Sequence, residues 1–106
     1  MFARRVAMHL KPNCVTEFTE RLENEIIPLL RKQNGFQDEI TFTTTGGKEA
    51  IAISLWDRTE NAEAYNRETY PQIVKTLSRF VEGTPQVETY QVANSTFHKI
   101  AAAVTV

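Results

Sequence analysis

The chain has 106 residues, with 12 Lys and Arg against 13 Asp and Glu, and 42% of its residues are apolar. This size predicts one soluble globular domain over residues 1–106, because two domains would each be too small to bury a sufficient core. The balanced charge, without a basic stripe, argues against a nucleic-acid partner. The single Cys excludes an internal disulfide and favours a reducing, cytoplasmic compartment. No apolar run is long enough for a signal peptide or a membrane span, so no membrane partner is expected.

Residues 2–10 form the first predicted element, a strand with alternating sides. One side carries Val6, Met8 and Leu10, and the other carries Arg5, Ala7 and His9. A long amphipathic helix is predicted next, with Asn13 as its N-cap and Asn34-Gly35 at its end. Pro28 lacks a backbone N–H, so we expect a kink or a frayed last turn there.

Gly46-Gly47 predicts a tight hairpin between strands at residues 36–45 and 48–57, because glycine readily takes the positive φ of such turns. A two-residue loop would pair residues whose numbers sum to 93. One face then pairs Phe42 with Ile51, Ile40 with Ile53, and Asp38 with Leu55. The other face pairs Thr43 with Ala50, Thr41 with Ala52, Glu39 with Ser54, and Gln37 with Trp56.

A second amphipathic helix follows, starting at a capping box over Asp57 to Glu60 and interrupted by Pro71. Its predicted buried side carries Ala62, Tyr65, Thr69, Ile73, Leu77 and Phe80. Gly83-Thr84-Pro85 is expected to end this segment, before a last strand at residues 86–92. The element order is therefore βαββαβ, with a core at about 2–92 and an apolar tail at 93–106 that we expect to dock on the domain.

This order predicts a ferredoxin-like two-layer α+β sandwich, with a four-stranded antiparallel sheet and two helices on one face. We expect the helices to cover the aliphatic face, which carries Val6, Met8, Ile40, Phe42, Ile51, Ile53 and Leu55. The open face would carry Arg5, Ala7, His9, Thr41, Thr43, Ala50, Ala52, Ser54 and Trp56. Because such small side chains are unusual on a solvated face, we expect a homodimer through the open sheet face rather than a free surface.

A family resemblance rests on three segments: Asn34-Gly35-Phe36 at the helix end, the Gly46-Gly47 hairpin, and the step Ser54-Leu55-Trp56-Asp57 before the second helix. In element order, residues 2–92 resemble the antibiotic biosynthesis monooxygenase-like proteins, which form dimeric α+β barrels. The resemblance implies a homodimer and, in one branch, a cofactor-free monooxygenase that oxidises a phenolic substrate without a metal. The fold alone does not select the activity.

A haem-degrading branch of that family carries an Asn on the first strand and a Trp and a His on the second helix. Here Tyr65 stands at the position of that Trp and Lys75 near that of the His, while the first strand has Ala3, Arg4 and Arg5. These departures argue against haem turnover, so no haem or other cofactor is expected.

The candidate ligand site lies between the sheet and the second helix, where Trp56, Tyr65 and Tyr70 could form aromatic walls, with Asn66 and His9 as weaker candidates. Each residue also has a structural interpretation. Trp56 can close the end of the core, one of the two tyrosines can be buried, and His9 is more often an interface residue than a catalytic base. Neither Cys14 nor His98 has metal-ligand spacing with His9, so no metal site is predicted.

Two functions therefore remain open. One is a cofactor-independent monooxygenase-like protein acting on or binding a small aromatic or quinone-type molecule. The other is a non-catalytic dimeric ligand-binding or stress-responsive protein. An enclosed cavity of a few hundred Å³ with converging polar groups would favour the first, and a filled core would favour the second.

Overall fold

The structure, a computed structural model, describes residues 1–97. Its elements are β1 (Phe2–Leu10), α1 (Val15–Arg21), α2 (Ile27–Arg31), β2 (Phe36–Thr43), β3 (Glu49–Trp56), α3 (Thr59–Glu68), α4 (Tyr70–Leu77) and β4 (Val81–Gln91). A π-helical turn, Leu22–Ile26, joins α1 to α2. The four strands form one antiparallel sheet in the order β2-β3-β1-β4. The ferredoxin-like βαββαβ order predicted from the sequence is confirmed.

The first helix is interrupted just before Pro28, as expected. Because Pro28 has no N–H to donate to the carbonyl of Asn24, the preceding turn widens, and the N–H of Ile27 reaches the carbonyl of Leu22. The predicted N-cap was wrong, since Cys14 occupies that position without a side-chain bond. Asn13 instead takes a left-handed conformation, with φ of 59°, which asparagine tolerates better than most residues.

The second helix divides at Thr69, whose φ of −120° leaves the helical range, and Pro71 stands in the first turn of α4. The predicted interruption is thus confirmed. The capping box was wrong: Arg58 is the N-cap and makes no side-chain cap bond. The Asp57 carboxylate instead accepts a hydrogen bond from Nδ2 of Asn61 at 2.8 Å.

The hairpin has the predicted register, with Phe42 opposite Ile51 and Thr41 opposite Ala52. Its loop is longer than two residues, because the strands end at Thr43 and restart at Glu49. The N–H of Gly47 closes the turn on the carbonyl of Thr44 at 2.8 Å. The longer loop has the same centre, so the pairing is unchanged.

One predicted pair of this hairpin was wrong. Trp56 pairs with Phe36 rather than with Gln37, because the register shifts between Phe36 and Asp38. The shift leaves Gln37 as the extra residue of a bulge in β2.

The assignment of the two sheet faces was wrong for β2 and β3, whereas Val6 and Met8 of β1 face the helices as predicted. Met8 pairs with Ala50 and Arg4 pairs with Ser54, so these residues share the face that the helices cover. On that face Ala50 is 1% exposed and Trp56 is fully buried. The other face presents Phe42 at 52% and Ile40 at 41% exposure. The helices supply the bulk of the core through large side chains, so the sheet residues facing them are small.

The last strand begins at Val81, earlier than the predicted residue 86. It therefore contains Gly83-Thr84-Pro85, which we expected to precede the strand. Gly83, with φ of 73°, and Pro85 lie in a bulge where the register against β1 shifts between Ala7 and His9. The expected docking of the tail falls mainly on residues 98–106, which lie outside the described residues. No helix within residues 1–97 is long and apolar enough to cross a membrane.

Candidate active site between the sheet and the helices

A cavity of about 80 Å³ lies between the covered sheet face and the layer of helices. It follows from the small side chains of β3, because Ala52 and Ser54 do not fill the space below the helices. Most of its wall is apolar. The polar groups that line it are Arg4 from β1, Glu39 from β2, Ser54 from β3, the phenols Tyr65 and Tyr70, and Ser78 at the end of α4. Residues distant in sequence therefore meet at one place.

Arg4 places a positive charge at this cavity. The residue is only 3% exposed. Arg4, Val6 and Met8 lie at every second position of β1, so all three side chains share the covered face. Its Nη2 donates to Oδ1 of Asn66 at 2.6 Å. Its Cζ lies 4.2 Å from the ring centroid of Tyr70 and 5.2 Å from that of Tyr65. Burial lowers the pKa of Arg4 from its usual value, but a guanidinium retains its charge in proteins.

A row of aromatic rings forms the wall nearest α3. Trp56 and Tyr65 pack with centroids 4.8 Å apart, and Tyr65 and Tyr70 follow at 6.1 Å. The indole N–H of Trp56 donates to Oγ of Ser54 at 2.9 Å, so the buried indole has a hydrogen-bond partner. The row joins the end of the sheet to the start of α4.

Both tyrosines of the cavity are neutral hydrogen-bonding groups. Burial raises the pKa of Tyr65 and of Tyr70, and the nearby charge of Arg4 opposes this rise only in part. The hydroxyl of Tyr70 is buried and has no hydrogen-bond partner among residues 1–97. An unpartnered buried hydroxyl is costly, which makes it a candidate for contact with a ligand.

Glu39 contributes the carboxyl group of the cavity. Burial raises its pKa, although the hydrogen bond that its Oε1 accepts from the hydroxyl of Thr41 opposes this rise. A carboxyl whose pKa moves toward neutrality is suited to accept and return a proton. Glu39 faces the cavity because it pairs with Ser54.

The structure brings together some of the predicted site residues. Tyr65 and Tyr70 line the cavity, whereas Asn66 contacts it through Arg4, and Trp56 lies behind Tyr65 and Ser54. His9 lies on the opposite sheet face, with its side chain 72% exposed and its Nδ1 3.5 Å from Oε1 of Glu49. His9 is therefore not part of this cavity.

Sequence reasoning missed Arg4 and Glu39. The signal for Arg4 was available, because the alternation that grouped Val6 with Met8 also places Arg4 on their side. Glu39 was assigned to the right pair but to the wrong face. Within residues 1–97, no three His, Cys, Asp or Glu residues lie close enough to hold a metal ion.

No protein-family model and no curated protein matches the chain. Among solved structures, it is similar to a Bordetella bronchiseptica protein provisionally named an antibiotic biosynthesis monooxygenase, with a TM-score of 0.75 and 14% identity over 86% of this chain and 95% of that one. It is also similar to a Streptomyces coelicolor monooxygenase in complex with the ligand nanaomycin D. That match has a TM-score of 0.72 and 17% identity over 89% of this chain and 88% of that one.

The chain has the ferredoxin-like α+β fold of these solved proteins, several of which are named antibiotic biosynthesis monooxygenases. The resemblance inferred from the Gly46-Gly47 hairpin and the Trp56-Asp57 step is supported, since several solved proteins with this fold bear that name. A Nitrosomonas europaea protein of unknown function shares the fold as well, with a TM-score of 0.74 and 12% identity over 90% of this chain and 91% of that one. At these identities the similarity establishes the fold alone, and the chemistry must be argued from the cavity.

Proposed function

We propose that the protein is a cofactor-independent monooxygenase that binds a small phenol in this cavity and oxidises it to a quinone. The observation that carries the proposal is the meeting of Glu39, Tyr65 and Tyr70 at one cavity on the covered face. The single cysteine, Cys14, suits a protein of the reducing cytoplasm.

The reaction balances with dioxygen as the only co-substrate. The phenol loses its hydroxyl proton, and the electron-rich ring forms a C–O bond to dioxygen at the carbon opposite the oxygen. The resulting hydroperoxide loses water as its O–O bond and the ring C–H bond break. One oxygen atom of dioxygen enters the quinone and the other enters water, so the four electrons lost by the phenol are those gained by dioxygen.

Glu39 and the aromatic row have separate roles in this scheme. The Glu39 carboxylate accepts the phenolic proton, for which its raised pKa suits it. Tyr65 and Tyr70 pack against the substrate ring and offer neutral hydroxyl donors to its oxygen atoms. The apolar lining excludes water from the reacting ring.

The volume of the cavity supports a second candidate function. At about 80 Å³ it is smaller than the few hundred Å³ typical of ligand sites, so a naphthalene-sized ring would need the helices to move apart. The break at Thr69, directly before Tyr70, is the natural hinge for such a movement. A cavity that stays closed would instead favour a non-catalytic dimeric ligand-binding or stress-responsive protein.

We also propose that the protein is a homodimer through the open sheet face. The support differs from what the sequence suggested, because this face is aliphatic. Ile40 and Phe42 are more than one-third exposed there, next to Ile51, Ile53 and Leu55 of β3. A second copy would remove these side chains from water.

Oxygen consumption tests the proposed activity. We expect the purified protein to consume oxygen with dihydroxynaphthalene or anthrone, and Glu39→Gln to lower kcat by at least about 100-fold, as removal of a general base does. Glu68→Gln, at the exposed end of α3, is the matched control and should retain the wild-type rate. Uptake that is equal in all three proteins would remove Glu39 from the mechanism. A wild-type protein that consumes no oxygen with either phenol would favour the non-catalytic alternative.

A further inference from the structure

The buried guanidinium of Arg4 has no ion-pair partner among the described residues. Within residues 1–97, no carboxylate lies within ion-pair distance of its guanidinium, and its Nη2 donates a hydrogen bond to Asn66. Asn66 offers a neutral oxygen, and Tyr65 and Tyr70, whose rings lie against the guanidinium, are neutral phenols that bring no counter-charge. Buried charges are normally paired, because burial of a charge without a counter-charge is costly.

A second donor lies beside this charge. Tyr70 packs its ring under the guanidinium of Arg4, and its buried hydroxyl has no hydrogen-bond partner among the described residues. Arg4 and Tyr70 both line the cavity. A guanidinium and an unpartnered hydroxyl at one cavity match an anionic oxygen, which accepts hydrogen bonds from both.

We infer that the cavity recognises an aromatic anion, a ring compound whose phenolate or carboxylate oxygen binds to Arg4 and to the hydroxyl of Tyr70. The inference deepens the proposed function and rests on it for the choice of an aromatic ligand. The aromatic character comes from the wall, since the ring of Tyr65 and apolar side chains of the helices line the cavity. The anionic character comes from Arg4, because a neutral ring would leave that charge without a counter-ion.

Glu39 is the one carboxyl among the described residues that line the cavity, and it opposes an anionic ligand when ionised. Burial raises its pKa, which limits the repulsion as the pH falls. Glu39 therefore weakens the binding of an anion, whereas Arg4 strengthens it. Removing the Glu39 charge should strengthen the binding of an anion, even though the same change should slow oxidation.

Calorimetric titration with non-oxidisable probes tests the inference separately from the activity. We expect benzoate to bind wild-type protein about 10- to 100-fold more tightly than benzamide, its neutral analogue, as hydrogen bonds to a charged group imply. Arg4→Met should abolish this preference, whereas Glu39→Gln should increase it. Arg67→Met removes the same charge from an exposed position next to Asn66 and should leave the preference unchanged. Titration with ionised 4-nitrophenol distinguishes a phenolate ligand from a carboxylate ligand. Whichever of benzoate and 4-nitrophenolate binds more tightly indicates the anionic group of the natural ligand.

The folding of the variants separates recognition from structure. Because Arg4 has no ion-pair partner among residues 1–97, Arg4→Met should unfold at a urea concentration close to that of wild type, and Tyr70→Phe should do the same. If Arg4→Met does not fold, Tyr70→Phe, which should weaken benzoate severalfold, provides the test. Equal affinity for benzoate and benzamide in wild-type protein, or no benzoate binding, would overturn the inference. If the protein oxidises phenols but binds benzoate and benzamide equally, the proposed activity stands and the inference fails. If it prefers benzoate but consumes no oxygen, the inference stands and the proposed activity fails.

Discussion

Trp56 and Tyr65 pack as a tilted pair, with 32° between their ring planes and 4.8 Å between their ring centroids, and so join the end of β3 to α3. Trp56 is fully buried and its indole N–H is bonded to Ser54, whereas Tyr65 also borders the cavity. The pair thus separates two roles within one aromatic cluster. Trp56 holds the layers together, and Tyr65 presents its ring to the cavity.

The first expectation concerns this pair. Trp56→Ala should lower the free energy of unfolding by about 3–5 kcal/mol, because it removes the largest buried side chain and leaves a void. Tyr65→Phe keeps the ring and should change stability by less than about 1 kcal/mol. Urea denaturation followed by circular dichroism measures both. A small loss in Trp56→Ala would mean that the core can collapse around the missing ring.

The second expectation concerns the contact between Gly35 and the loop after β3. A Cβ atom at Gly35 would clash with Oδ1 of Asp57, and the φ of Gly35 is +79°. Gly35→Ala should therefore destabilise the fold by about 1–3 kcal/mol. Gly46→Ala is the matched control, since a Cβ there meets no atom within 4 Å. Similar thermal unfolding of the two variants would contradict the close approach.

The third expectation is a pH dependence caused by Glu39. Its pKa is raised in the folded state, so the folded chain holds a proton that the unfolded chain has already released. Its contribution to stability therefore falls as the pH rises from the usual carboxyl range to the raised value, and stays lower above it. Glu39→Gln should match wild type in acid and exceed it at neutral pH in urea denaturation. Glu63→Gln, on the exposed side of α3, should not reproduce this divergence.

The fourth expectation concerns the dimer. Ile53→Arg places a charge at the centre of the open aliphatic face and should yield a monomer that retains its helical circular dichroism. Ala52→Arg projects instead into the covered layer and should impair folding. Light scattering at micromolar concentration distinguishes these outcomes. A wild-type protein that is monomeric under these conditions would contradict the proposed dimer.

Local sequence patterns predicted the elements and their order well. Which face of the sheet the helices cover could be determined only from the whole structure. The hairpin register was predictable because Gly46-Gly47 and the alternation of Ile40 and Phe42 agreed on one pairing. The face covered by the helices was not predictable in this way, because hydrophobicity alone favoured burial of the aliphatic side of the hairpin. The helices in fact cover Ala50 and Ala52, whose small size accommodates the large helix side chains and the cavity.

The site was predicted in part for the same reason. Tyr65 and Tyr70 were identified because both phenols lie on the helix that directly follows Trp56. Arg4 was missed because an arginine next to a strand terminus is usually solvated, and only the pairing of Arg4 with Ser54 shows that it faces the helices. The role of Lys75 and Tyr65 in excluding haem turnover stays a prediction, testable by iron release from added haem.

The two irregular strands of the sheet are its outer ones, and this position affects how the chain can associate. The β2 register shifts after Phe36, and β4 carries Gly83 and Pro85 within its bulge. An outer strand with regular spacing would offer unpaired N–H and C=O groups to a strand from another molecule, which is the usual start of fibrillar aggregation. Pro85 lacks an N–H, and both bulges bend the edges, so edge-to-edge polymerisation is disfavoured at either side.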